Sequence, residues 1–345
     1  MTPTKKFVVS GAGLLLLCIT AVSCFSSGPT YTPLAGATFV AAGVPKDLGS
    51  TRNYDTIFSQ LKSNGIDGFF PFFSYQSAPE YKTLGFETDF VPPCTASSPA
   101  FAAFKKQSEK HVINGGMIYP LGQPLPSIAQ DPLAKIIACG GRSAILAITN
   151  YDEPTHNGVS VAATLTLYNR VKQIDPTIPV IMIHAPIFAD TNQSTTEAER
   201  QAYLQAVKTQ SQNADIVGFD LYPIPKEVAK LTTPYQNGVE SNFITIIDDY
   251  TSWMQSQITG KQYTVVLQGF SLEQQYSQEL QATIPPEVRA ILRAPTKTEL
   301  VDMVAIAKSH GVVLFIWWGQ SLVPNATSQI WKDILEVSRT WKGVS

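Results

Sequence analysis

The chain has 345 residues, of which 44% are hydrophobic, 15% charged and 10% aromatic, with a formal net charge of −2. That length can bury one large core or two smaller ones. The lack of any basic excess or stripe excludes a nucleic-acid partner, and the low charge with abundant Gln, Ser, Thr and Tyr fits a secreted surface.

The N-terminus agrees with export. Lys5 and Lys6 precede the apolar run Phe7–Val22, the layout of a signal peptide rather than a membrane span. Ala21-Val22-Ser23-Cys24 resembles the bacterial lipoprotein box, in which Cys24 is the lipidated residue; an ordinary signal peptide cut nearby is the alternative. Residues 1–23 are therefore read as signal peptide, 24–35 as a tether and 36–345 as one folded domain. The expected location is extracytoplasmic, either secreted or held to a membrane through the lipid, since no other segment is apolar for long enough to span one. Cys18 leaves with the signal, so Cys94 and Cys139 remain and are expected to pair in an oxidising compartment, two buried thiols being the alternative. Asn192-Gln-Ser and Asn325-Ala-Thr are glycosylation sequons, relevant only in a eukaryotic source.

Beyond the tether, short β-rich runs alternate with amphipathic stretches, the pattern of βαβ units around a parallel sheet. Strands are predicted at Thr38–Val44, Gly68–Ser74, Gly116–Leu121, Ala144–Thr149, Val180–His184, Ile216–Leu221, Tyr263–Gln268 and Val312–Trp318. Helices are predicted at Tyr54–Asn64, Ala100–Val112, Asp131–Ala138, Val159–Ile174, Thr196–Gln212, Phe243–Gln257, Thr296–Ser309 and Ser328–Trp341. Gly65 and Gly311 stand where helices should stop, Asp175-Pro176 closes the fourth helix, and Thr296 with Glu299 fits a capping box. Eight such repeats predict an α/β fold, a single (β/α)8 TIM barrel. An open doubly wound sheet would carry a glycine-rich phosphate loop after an early strand, and none is present.

In a barrel, functional residues gather where the strands end. The predicted strand ends carry Tyr119; Asn150, Asp152 and Glu153; His184; Asp220 and Tyr222; Gln268; and Trp318 and Gln320. Carboxylates, amides, a histidine and aromatic rings suit sugar hydroxyls and C–H faces. Asp152 and Glu153 are candidate catalytic carboxylates; the alternative is that they open the next helix near its positive N-terminus. His184 is a candidate substrate ligand or a hydrogen-bonded barrel residue. Of Trp317 and Trp318, one should face the mouth and the other pack under the helices.

Several of these segments resemble clan A glycoside hydrolases. Ile216-Val-Gly-Phe-Asp220-Leu-Tyr222-Pro223 is similar to that clan's sixth strand, and Asp152-Glu153-Pro154 to its Asn-Glu-Pro, whose glutamate is the general acid/base. Val265-Val-Leu-Gln268-Gly-Phe and Arg293-Ala-Pro-Thr296-Lys-Thr-Glu299 resemble the seventh strand and the following helix of barrel proteins in this group. The resemblance implies a carbohydrate substrate, Glu153 as general acid and no cofactor or metal. Two departures matter: Gln268 stands where retaining members carry their nucleophilic glutamate, and Asp152 replaces the asparagine that holds the sugar 2-hydroxyl.

Three enzymatic routes stay open. An inverting pair needs carboxyls roughly 6.5–9.5 Å apart, with Asp220 favoured over Asp152 as the base. A retaining enzyme would need a relocated nucleophile, Asp220 or Glu273. Substrate assistance would use Asp220 and Tyr222 to orient a sugar substituent. The chain is expected to be a monomer in either case, and a non-catalytic carbohydrate-binding barrel lipoprotein is the rival reading, motivated by Gln268. The His-Glu-x-x-His, Gly-x-Ser-x-Gly and P-loop motifs are absent from the sequence.

Overall fold

The computed structural model describes residues 31–71, 99–187, 196–224, 243–271, 274, 286 and 290–344. The signal peptide, Cys24, Cys94, Asn192 and Glu273 lie outside the described residues, so the expected Cys94–Cys139 pairing is described only at Cys139, which is buried.

Eight parallel strands close into a barrel in sequence order, β1 pairing with β8 to complete it. They are β1 (Thr38–Ala41), β2 (Gly68–Phe69), β3 (Lys110–Asn114), β4 (Ile145–Thr149), β5 (Val180–His184), β6 (Ile216–Leu221), β7 (Gln262–Gln268) and β8 (Val312–Trp318). The helices are α1 (Lys46–Ser50), α2 (Tyr54–Ser63), α3 (Pro99–Gln107), α4 (Gly115–Ile118), α5 (Pro132–Gly140), α6 (Val161–Ile174), α7 (Glu197–Gln210), α8 (Phe243–Gln257), α9 (Lys297–Ser309) and α10 (Gln329–Lys342). The predicted TIM barrel is the observed fold.

The strands are buried on both faces, which is why β1, β4 and β6 read as nearly unbroken apolar runs. Their outward side chains pack under the helices. Phe39 stacks on Phe315 and on Trp317, and Trp317 donates to Ser338 Oγ of α10 at 2.9 Å. Strand alternation therefore turns Trp318 toward the barrel mouth. Gly65 and Gly311 adopt positive φ where α2 and α9 stop, and the Thr296–Glu299 capping box is formed at the start of α9.

The third strand differs from the expectation. Residues 110–114 form it, and the predicted strand Gly116–Leu121 begins instead with the helical turn α4. Glu109-Lys110-His111 looks like a continuing polar helix face, yet Ser108 at φ 55° has already stopped α3. Gly115 is required by close packing. A Cβ on Gly115 would sit 2.2 Å from the Thr149 carbonyl oxygen of neighbouring β4. Tyr119 thus falls beyond a strand end, and its hydroxyl donates to buried Asp131 at 2.8 Å. Asp131 in turn caps α5 and accepts from Arg170 of α6 at 2.6 Å. Breaking a buried, hydrogen-bonded ion pair of this kind costs roughly 3–5 kcal/mol.

Glu109, at the entry to β3, is 2% exposed and both its carboxyl oxygens are buried. Burial pushes its carboxyl up to about 8, with Lys62 offsetting part of this and Asp67 adding to it. The folded state therefore holds a proton that the unfolded chain releases near pH 4.5, and stability from this group is lost as pH rises toward 8. Wild-type unfolding free energy, measured in urea from pH 5 to 8, is expected to fall by about 1 kcal/mol per pH unit more than in Glu109→Gln. Equal slopes in the two proteins would contradict this.

Candidate active site

The cleft lies at the C-terminal end of the barrel, inside the ring of strand ends. Its polar wall is Asn114, Thr149, Asp152, Glu153 and Asp220; its aromatic wall is Phe70, Tyr151, Tyr222 and Trp318; Ile183, Val266 and Ile316 form the floor. Its cavity volume is about 140 Å³, small beside the usual range for small-molecule sites.

Asp152 and Glu153 do not open a helix. Helix α6 starts at Val161 with Ser160 as its cap, its hydroxyl accepting from Ala163 N. The acidic pair sits earlier, in a tight loop closed by Asn157 N to the Glu153 carbonyl at 2.9 Å and Val159 N to the Pro154 carbonyl at 2.8 Å. Asn157 Nδ2 also donates to the Asp152 carbonyl. This loop holds Glu153 at φ 38°, in the left-handed region that non-glycine residues rarely adopt. Such strain persists only where surrounding contacts impose it, and it concentrates at functional sites.

Asp220 is the last inward-facing residue of β6, and its carboxyl hydrogen-bonds that of Glu153. Burial, then the charge of Glu153, the shared hydrogen bond and Asp152 raise the Asp220 pKa well above the ordinary carboxylate range. Two carboxyl groups in contact resist ionising together, which favours a proton on Asp220. Asp220 Oδ1 is buried with no hydrogen-bond partner. Asp152 is open to the cleft, although protein on its other sides removes part of its hydration. That loss, with Glu153 beside it, pushes its carboxyl up to about 6.

Of the other predicted ligands, Tyr222 and Trp318 line the cleft, and Tyr222 meets Phe270 edge-on at 5.3 Å. His184 does not. It is fully buried on the outer side of β5, hydrogen-bonded to Ser211 Oγ at 3.1 Å and to Thr155 Oγ1 at 3.2 Å, and packed against Phe219. Burial lowers its pKa to about 3, so it stays neutral. Through Thr155 it braces the loop that carries Glu153. Asn150 also points outward, its amide donating to the Thr164 and Asn213 carbonyls at 3.1 Å each. Gln320 is buried behind Trp318 and donates to its carbonyl. Tyr119 is held by Asp131, outside the cleft lining.

Gln268 ends β7 beside Trp318, where the expected nucleophile would stand, but it is fully buried. Its Oε1 accepts from Ile224 N at 2.9 Å, and its Nε2 donates to the Ile224 and Phe270 carbonyls at 3.0 and 3.1 Å. It is a clamp on the segments that follow β6 and β7, not a substrate ligand. Asn114, Thr149, Tyr151 and Phe70 were absent from the predicted set. Asn114 was hidden by the misplaced third strand, whereas Thr149 could have been found from strand alternation, two residues before Tyr151.

No protein-family model and no curated protein sequence matches the chain. Solved structures do share its fold. A protein described as an alpha-L-fucosidase from Bacteroides thetaiotaomicron VPI-5482 aligns over 90% of this chain and 97% of its own, with 12% identity and a TM-score of 0.52. The beta-galactosidase of the psychrophilic Marinomonas ef1 aligns over 87% of this chain and 59% of its own, with 10% identity and a TM-score of 0.50. At these identities the likeness is one of barrel fold.

Gln268→Glu would turn a carboxylate oxygen toward two backbone carbonyls. It is expected to lower stability by roughly 1–3 kcal/mol in urea unfolding and to create no nucleophile. Unchanged stability together with new glycosidase activity would contradict the clamp.

Proposed function

We propose that the chain is a glycoside hydrolase with Glu153 as general acid. The observation that carries this reading is the strained, inward-aimed Glu153 carboxyl hydrogen-bonded to buried Asp220 at the mouth of a glycosidase-type barrel. Asp220 holds a proton that it can pass across the hydrogen bond to Glu153, and Glu153 delivers it to a glycosidic oxygen. Aromatic faces of Trp318 and Tyr222 suit the apolar faces of sugar rings, and Asn114 and Thr149 suit their hydroxyls.

The second carboxylate in this reading is Asp152 rather than Asp220. A hydrogen-bonded pair leaves no room for a water between its members, whereas an inverting acid and base stand roughly 6.5–9.5 Å apart. Asp220 is also held protonated, which removes its basicity. Asp152 is cleft-facing and ionises in the working range. Gln268 favours a second reading, a barrel that binds glycans without turnover, because β7 ends in this clamped amide and not in a carboxylate.

A polysaccharide panel with the purified protein separates the two. Glu153→Gln is expected to lower kcat by roughly 10²–10⁴-fold while leaving the thermal midpoint nearly unchanged. Wild-type activity should fall as pH drops through about 6, where Asp152 gains its proton, and Asp152→Asn should remove that acidic limb along with most of the rate. Full activity in Glu153→Gln would sink the assignment, and glycan binding with no product from any substrate would favour the binding barrel.

A further inference from the structure

The end of the barrel opposite the cleft is basic, and every helix-to-strand connection that forms it lies among the described residues. Helices α2, α3, α6, α7, α9 and α10 run down to this face and carry lysine or arginine in their last turns. The acids described in its connections are neutralised or hidden. Asp67, Asp175 and Asp215 pair with Lys342, Arg142 and Lys172, and Glu109 is buried. Lys62, Lys105, Lys110, Lys208, Lys308 and Arg339 make no ion pair among the described residues, and all but Lys208 are exposed. Helix dipoles favour basic last turns, but Lys110 opens β3 and Lys261 directly precedes β7, where no helix ends.

The basic face is also indented, and the chain enters the domain across it. Lys62, Lys110 and Lys342 line a cavity of about 360 Å³ with Thr32, Leu34 and Ser108. Tyr31 is buried and its hydroxyl donates to the Asp215 carbonyl at 3.4 Å. The backbone N–H and carbonyl of Leu34 bond the side-chain amide of Gln262 at 2.9 and 2.8 Å. Cys24, the residue expected to carry lipid, lies seven positions before Tyr31, a stretch that reaches at most about 25 Å. A bilayer joined to Cys24 is therefore within reach of this face. Phosphodiester headgroups carry the complementary charge, and lysine and arginine beside a membrane are each attracted to such a surface.

We propose that the basic face docks on an anionic lipid surface, so that the cleft opens away from the membrane. The attraction comes from exposed charges and should weaken as salt is added.

Amide hydrogen exchange of the full chain on phosphatidylcholine vesicles, with and without phosphatidylglycerol, tests this. The apolar run Phe7–Val22 is expected to hold the chain on either vesicle whether or not Cys24 is lipidated, so the face is tested apart from that assignment. Exchange at residues 108–111 and 309–312 should slow about tenfold with phosphatidylglycerol, and high salt should reverse the change. Residues 154–159, beside the cleft, should exchange alike on both vesicles. A variant combining Lys62→Gln, Lys110→Gln, Lys308→Gln and Arg339→Gln should lose the slowing. Equal exchange on the two vesicles, slowing at residues 154–159 instead, or slowing that survives in the variant would overturn the proposal.

Discussion

The contact between the Asp220 and Glu153 carboxyls is the constraint from which the site follows. Like charges at hydrogen-bond distance repel, which favours a proton on one of them. The protein brings the two together from opposite directions. Asp220 rides on β6, whose alternation aims it inward, and Glu153 is pushed toward it by a strained loop. Burial then keeps the proton on Asp220, and it leaves Asp152 as the carboxylate that faces the cleft.

Much of the surrounding polar structure serves to hold that contact. The Glu153 loop is closed by its own backbone hydrogen bonds and braced from behind by neutral His184 through Thr155. Asn150 fixes the end of β4 by tying it to the start of α6 and to Asn213 after α7. Gln268 clamps the neighbouring segments after β6 and β7. Residues that read as substrate ligands are thus supports. A polar side chain at a strand end faces either the cleft or the helices, and one position of register decides which.

That distinction explains what was legible in the sequence. The eight-fold alternation was, because parallel strands buried on both faces announce themselves as apolar runs. Glu153, Asp152, Asp220, Tyr222 and Trp318 were placed at the cleft from their positions at strand ends. His184 and Asn150 were not resolved by position alone, since their orientation depends on pairing partners far along the chain. Strand three was misread because its entry is polar and because Gly115 is required by the Thr149 carbonyl, a contact with β4 that no local pattern reveals. The Asp220–Glu153 contact itself joins two strands separated by a third and had no sequence signature beyond the two acids.

The most direct test is the protonation state of Asp220 in the unliganded protein. Carbon-13 NMR of protein labelled at the aspartate carboxyl carbons, with the resonance assigned by its loss in Asp220→Asn, reads that state without interference from glutamates. The account predicts that the Asp220 carbon still has a protonated shift at pH 7, where Asp152 is mostly ionised, and that Glu153→Gln lowers its titration midpoint. An Asp220 carbon already ionised at pH 5 would contradict the proton on Asp220 and the role given to Glu153.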